Sequence, residues 1–261
     1  MRYCAHFIVL TINISFKEIY MKIVKTVLLL TLALVITSST FAQAKFEISA
    51  GADFVSRYVW RGQDFGNAPS IQPYLSGSIS GFEVGFWGAY TFSNNNQGAD
   101  ELDAWISYTA NLGNDMALSF IVTDYYFPNA GKKLGNFNDH DGDPPGAHLF
   151  EGGVAFTGPS TFPITVSAYL NFYNDEGNNA YFQIDYPFSV EDYDLSFFAG
   201  ATPGSEDNPG YYGAEDFSVV QVGIGASKEV KITDEFSLPV FVQYSINPKP
   251  EISYLVFGVS L

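Results

Sequence analysis

The chain has 261 residues, 47% hydrophobic, 17% aromatic and only 15% charged, a balance too apolar for disorder and too poor in charge for an ordinary cytosolic enzyme. Its 12 basic and 28 acidic side chains give a formal charge of −16 and a pI near 4.3, which repels nucleic acid and excludes it as a partner. The 24 Gly, 24 Phe and 17 Tyr suit strands and turns better than helices, and the single cysteine, Cys4, leaves no disulfide framework and no cysteine-based metal site.

The amino end carries an export signal. A basic start from Met21 to Lys25 precedes an apolar run, Thr26 to Ile36, and small polar residues that end in an A-x-A cleavage site at Ala42–Ala44. The run is shorter than the roughly 20 residues of a membrane-spanning helix, so residues 1–44 are expected to be a signal peptide cut after Ala44. Translation is expected to begin at Met21, and residues 45–261 form the mature domain. Without Arg2, Lys17, Lys22, Lys25 and Glu18, that domain holds 8 basic and 27 acidic groups, a charge of −19. No cysteine follows the apolar run, so a lipid anchor is not expected.

From Lys45 onward the repeated signal is alternation with period two, which helices cannot use. It begins with Phe46, Ile48, Ala50, Ala52, Phe54, Tyr58 and Trp60 against Glu47, Ser49, Gly51, Asp53, Arg57 and Arg61. It returns as Phe82, Val84, Phe86 and Tyr90 against Glu83 and Thr91, then as Leu102, Ala104, Ile106 and Tyr108 against Glu101, Asp103, Ser107 and Thr109. Later it opposes Phe150, Val154 and Phe156 to Glu151 and Thr157, and Phe182, Ile184, Tyr186 and Phe188 to Gln183 and Asp185. About twelve strands are predicted, near 46–60, 70–80, 82–92, 101–111, 116–127, 148–157, 163–173, 180–188, 194–202, 217–228, 236–247 and 252–261, each close to the length of about 9–11 residues that a tilted membrane strand needs.

The connections alternate between tight turns and longer loops rich in Gly, Asn, Asp and Pro. Short turns at one end and long loops at the other are the plan of an outer-membrane barrel, with both chain ends on the periplasmic side. Aromatic residues fall at both ends: Phe46, Phe82, Phe156, Phe162, Phe188 and Phe236 near the short turns, and Tyr58, Trp60, Tyr90, Phe92, Tyr125, Tyr126, Phe172 and Tyr173 near the long loops. Two interfacial girdles are expected. The competing reading is a secreted soluble sandwich or lipocalin-like barrel with its apolar face inward. Scarce lysine, matched strand lengths and aromatics at both ends favour the membrane. The fold expected is all-β, an antiparallel transmembrane barrel after a cleaved signal.

The run Ser56-Arg57-Tyr58-Val59-Trp60-Arg61-Gly62, followed by Pro69-Ser70-Ile71-Gln72-Pro73, resembles the TorF family of porin-like bacterial outer-membrane proteins. The motif covers the first strand and loop, while the general plan extends over the mature chain. The resemblance implies an outer-membrane barrel in a Gram-negative bacterium and, more weakly, a channel. It supplies no catalytic residues. One departure is the last residue, Leu261, where such barrels commonly end in Phe.

On the face opposite the apolar one, Asp53, Glu83, Glu101, Asp103, Glu151 and Asp185 outnumber Arg57 and Arg61. These eight are the predicted pore-lining residues. The sequence alone allows two arrangements, a net negative conducting lumen that favours cations or an interior packed with paired side chains. Conduction is favoured because twelve strands exceed the eight at which side chains fill a barrel. Arg57 and Arg61, four residues apart on one strand, are expected inside, with Tyr58 and Trp60 at the outer lipid interface and Arg57 as the deeper, more costly arginine to remove.

In the longest loop Asp139, Asp141 and Asp143 place three carboxylates at alternate positions, a fragment of a Ca²⁺-binding pattern. Pro144 and Phe150 stand where an EF-hand needs Gly and Glu. The simpler reading is a solvated acidic loop near lipopolysaccharide. No catalytic function and no cofactor are expected, since no Gly-x-Ser-x-Gly elbow occurs and the mature chain has only His140 and His148. The expected partners are outer-membrane lipid, lipopolysaccharide and small hydrophilic solutes or ions. A passive, cation-biased channel is the expected function, and a non-conducting barrel with a ligand-binding, adhesive or structural role is the alternative.

Overall fold

A computed structural model describes residues 45–93, 100–204 and 209–261. The export signal expected over residues 1–44 lies outside the described residues. The remaining unit, Ala44–Leu261, is taken by itself. Its strands are β1 (Glu47–Val55), β2 (Tyr58–Trp60), β3 (Gln63–Phe65), β4 (Ser70–Ile79), β5 (Phe82–Thr91), β6 (Glu101–Gly113) and β7 (Met116–Tyr126). They continue with β8 (His148–Thr157), β9 (Thr165–Tyr173), β10 (Ala180–Val190), β11 (Tyr193–Thr202), β12 (Ser218–Lys231), β13 (Ser237–Asn247) and β14 (Ile252–Ser260).

Twelve of these strands close into an antiparallel barrel in the order β1-β14-β13-β12-β11-β10-β9-β8-β7-β6-β5-β4, and β2 pairs only with β3. Closure pairs every strand on both sides and leaves no edge. Short turns such as Ser80–Gly81, Asn114–Asp115 and Glu191–Asp192 bring the chain back at one end, and the longer segments 127–147 and 209–217 lie at the other. At the tight turns Ser80, Gly81, Asn114, Asp115 and Glu191 have positive φ, the twist that matches two right-handed strands.

Register converts alternation into two faces. Asp53 stands beside Gln72, Ser78 beside Glu83, Trp87 beside Asp103, Thr123 beside Glu151, Ser167 beside Gln183 and Gly200 beside Gln221. One polar row therefore runs around the inside. The opposite row, with Ile48, Phe86, Ile106, Phe172 and Phe257 half or more exposed, faces outward. Inside, large side chains cover glycines of the neighbouring strand: Trp105 over Gly85, Tyr169 over Gly153, Tyr181 over Gly200 and Phe198 over Gly223. A methyl group at any of these glycines would overlap the ring, so each inward glycine makes room for one aromatic.

The first strand differs from its expected course. It was expected to run to Trp60 but ends at Val55, and residues 58–65 form the hairpin β2–β3 with Arg61 and Gly62, both at positive φ, as its two-residue turn. This geometry belongs to a primed hairpin turn. The hairpin enters the barrel, so Tyr58 and Trp60 do not join the outer girdle. Tyr58 packs on Phe65 and Trp87 at ring distances of 5.3 Å, and Trp60 edges onto Tyr125 at 6.0 Å. Tyr125 also leaves the girdle, since its register with Asp103 turns it inward. Tyr90, Phe92 and Phe172 remain exposed at that end.

Candidate functional site

The inward hairpin projects into the lumen, its tip backbone against β12 and β13 and its Arg61 side chain reaching β8 on the opposite side. Its tip is fixed because Asn247 on β13 donates to the Gly62 carbonyl at 3.0 Å, and Gly62 is pressed against the Val220 carbonyl so closely that a side chain there would overlap it. A second inward segment, Tyr211–Tyr212 in the β11–β12 connection, meets the hairpin, with Gln63 donating to the Tyr211 carbonyl at 2.9 Å. Tyr181, Tyr212 and Val220 form a buried cluster with Trp60, Tyr169 and Tyr211 packed around it.

Arg61 occupies the middle of this cluster. Its guanidinium donates to both oxygens of Glu151 on β8, at 2.5 and 2.9 Å, and to the Tyr212 hydroxyl at 2.8 Å. The rings of Trp60, Tyr169 and Tyr181 cover it at 4.3–4.5 Å. Glu151 also accepts from the Tyr125 hydroxyl at 2.9 Å. It follows a register shift between β8 and β9, and such bulges re-aim a side chain. The pair is bidentate and removed from water, with Arg61 8% and Glu151 3% exposed, so each charge depends on the other.

Arg57 has a different role. It stands at the base of the hairpin, is 31% exposed, pairs with Asp64 at 3.0 Å and donates to Asn67 at 2.8 Å. The expected order of the two arginines is therefore reversed: Arg61 is the deeper one, because the chain turns into the barrel after Val55 instead of continuing along its wall.

The predicted acids all point inward but lie in different surroundings. Glu101 and Asp103 are buried on β6. The Asp103 Oδ1 has no hydrogen-bond partner among the described residues. Glu83 accepts from the Trp105 indole N–H at 2.9 Å, and Asp185 accepts from Gln183 at 2.9 and 3.0 Å. Asp53 sits on β1 beside Gln72 and Ser260. Between the hairpin and the wall of β5, β6 and β7 is a cavity of about 250 Å³, lined by Trp60, Trp87, Trp105, Asp103 and Tyr125 among others. Toward the short turns the inward residues Ser49, Thr109, Asn111, Ser189, Asp194 and Glu229 are exposed, so the lumen there is solvated.

The loop carboxylates Asp139, Asp141 and Asp143 do not converge, and no cluster of three metal-ligating acids, histidines or cysteines occurs among the described residues. Asp139 instead holds the loop, accepting from the backbone N–H of His140 at 2.7 Å and of Asn174 at 2.9 Å. These bonds, the His140 backbone N–H foremost, keep its carboxyl below the usual carboxylate range. His148 is structural: it pairs with Asp124 at 2.9 Å and stacks between Tyr126 and Phe137.

Reading the sequence alone misses the partners of Arg61, namely Tyr169, Tyr181 and Tyr212, and the tryptophans beside Asp103. A local signal for the hairpin does exist, since Arg61-Gly62 separates Tyr58-Val59-Trp60 from Gln63-Asp64-Phe65 by two residues.

The profile of a family described as "Bacterial protein of unknown function (Gcw_chp)" matches residues 39–238. No curated protein matches the chain. Among solved structures, a NanC porin is similar with a TM-score of 0.52 and 6% identity, over 81% of this chain and 98% of that one. OccAB3 of Acinetobacter baumannii gives a TM-score of 0.40 at 8% identity, over 85% of this chain and 65% of that one. OccD1 (OprD) gives 0.36 at 14%, over 86% and 66%. The NanC likeness relates this chain to a porin in fold.

Proposed function

The chain belongs to the Gcw_chp family, whose description names no activity, and from the barrel itself we propose a porin-like passive channel of a Gram-negative outer membrane. It passes small hydrophilic solutes, favours cations, and is narrowed at its long-loop end by the inward hairpin. The observation that carries this reading is a closed twelve-strand wall, apolar outside and polar within, whose interior is solvated over its short-turn half.

Each part has a physical reason. An outward belt of exposed Phe, Ile, Leu and Val is stable against hydrocarbon and costly against water, and strands of 9–14 residues are long enough to cross a bilayer when tilted. The expected export signal, the TorF-like motif and the porin fold of NanC support the same location, in contact with lipopolysaccharide. Cation preference follows from charge that is left uncompensated. Arg61 is neutralised by Glu151 and Arg57 by Asp64, whereas Asp53, Glu83, Asp194 and Glu229 on the inner face have no basic partner among the described ion pairs. Negative potential in a narrow, low-dielectric passage raises the local cation concentration. The reading includes no catalytic step.

Purified full chain in a planar bilayer tests this. Steady conductance with a reversal potential favouring cations under a salt gradient is expected. Anion preference would remove the charge argument. Absence of conductance would favour the rival, a non-conducting barrel, which the hairpin's many cross-lumen bonds also suit.

A further inference from the structure

All three tryptophans of the chain, Trp60, Trp87 and Trp105, line a single cavity of about 250 Å³. They come from three separate places, the hairpin, β5 and β6. Tyr58 and Tyr125 complete the aromatic lining and hold it in place, Tyr58 against Trp87 at 5.3 Å and Tyr125 against Trp60 at 6.0 Å. Trp105 is fixed by its bond to Glu83 and by resting on Gly85. These walls are preformed.

One carboxyl group lines this cavity. Asp103 is 7% exposed, and its Oδ1 has no hydrogen-bond partner among the described residues. Among the described residues, no lysine, arginine or histidine pairs with it or with Glu101, two residues earlier on the same face. Arg61 is committed to Glu151, and the neighbouring segment 94–99 contains no basic residue. A buried carboxyl oxygen without a donor is an expensive thing to leave unsatisfied, and aromatic faces around it attract positive charge.

We propose that this cavity binds a small protonated alkylamine, whose ammonium N–H donates to Asp103 Oδ1 while its charge and methylenes rest on the tryptophan and tyrosine faces. The orphan acceptor calls for a donor, which a quaternary ammonium lacks. A bare metal ion would find aromatic walls instead of a shell of oxygens. The volume, below the roughly 300 Å³ at which drug-sized pockets begin, restricts the ligand to a few heavy atoms. The inference deepens the channel reading by naming the class of cation retained at the narrow end.

Because every tryptophan lines the cavity, intrinsic tryptophan emission reads this site with little background. Full-length protein in detergent, titrated with n-propylammonium, should show a saturable change in emission. Tetramethylammonium and the neutral isostere 1-propanol should bind at least tenfold more weakly. Asp103→Asn should weaken propylammonium at least tenfold, and Asp234→Asn, in an exposed turn, should leave it unchanged. A response to 1-propanol equal to that of propylammonium, undiminished binding in Asp103→Asn, or no saturable change would each overturn the proposal. If Asp103→Asn does not fold, the wild-type discrimination between propylammonium and 1-propanol decides alone. Conductance is scored separately: binding without conductance keeps the site and removes the channel, and conductance without saturable emission change does the reverse.

Discussion

The two halves of the lumen are lined by the same kind of sequence and are physically unlike. Toward the short turns Ser49, Thr109, Asn111, Ser189 and Glu229 meet water. Toward the long loops Asn171, Thr202 and Ser245 are fully buried, as are Arg61, Glu101 and Glu151 nearly so. A polar residue at an inward strand position is compatible with either state. What separates the halves is two segments that leave the wall, the β2–β3 hairpin and Tyr211–Tyr212, and replace water with protein. Polarity of a barrel interior is set by strand alternation, whereas its openness is set by its connections.

The largest test of that contrast is Arg61→Ala. It strands Glu151 without a cation in a dry setting, and losing one partner of such a pair costs about 3–5 kcal/mol. The temperature at which the detergent-solubilised barrel loses its gel-mobility shift should fall strongly, and conductance should rise as the hairpin loosens. Arg57→Ala removes a partly solvated pair worth about 0.2–1 kcal/mol, so its midpoint should fall much less. Equal losses would mean that the long-loop half is as wet as the other.

Gly62→Ala comes next. The residue combines a φ of 77° with contact against Val220, and a side chain in such a position costs about 1–3 kcal/mol. The hairpin tip should withdraw from β12, giving larger conductance with Arg61 still present. Unchanged conductance would show that the tip does not set the constriction.

In the solvated half, Glu229→Gln should leave stability within about 0.5 kcal/mol while moving the reversal potential toward weaker cation preference. A large stability change there would erase the distinction between the halves.

The smallest effect concerns the loop above the filled half. Asp139 has a lowered folded-state pKa, so its contribution is complete above the ordinary aspartate value of about 3.9 and is lost as pH falls through the folded one. Pepsin cleavage within residues 127–147 should rise over that fall in pH, and Asp139→Asn should remove the dependence.

Most of the wall was legible in the sequence because strand period and membrane span are both local. The strand at 148–157 coincides with its expectation, and others differ by a few residues. The hairpin was hidden because Tyr58 and Trp60 continue the alternation begun at Phe46, and period two does not reveal that a strand has left its sheet. The placement of the acids followed the same logic. Alternation puts Glu101 and Asp103 on the inner face, but only tertiary contact shows that tryptophans surround one of them. The tyrosines around Arg61 come from segments more than a hundred residues away in sequence, as with Tyr212, and no short-range pattern signals such a meeting.

The seam between the first and last strands has a bearing on assembly. β1 runs beside β4 through nine registered pairs but meets β14 through only three, extended by the paired bonds between Ala52 and Leu261 and by Ser56 donating to Phe257. Joining those strands brings together residues some two hundred apart, a slow event because a long chain must be closed before any contact rewards it. The hairpin leaves β1 directly at this seam. Its tip bonds to Asn247 on β13 and packs against Val220 on β12, so the docked hairpin spans the short β1–β14 pairing from inside and ties the filling of the interior to the strength of the seam.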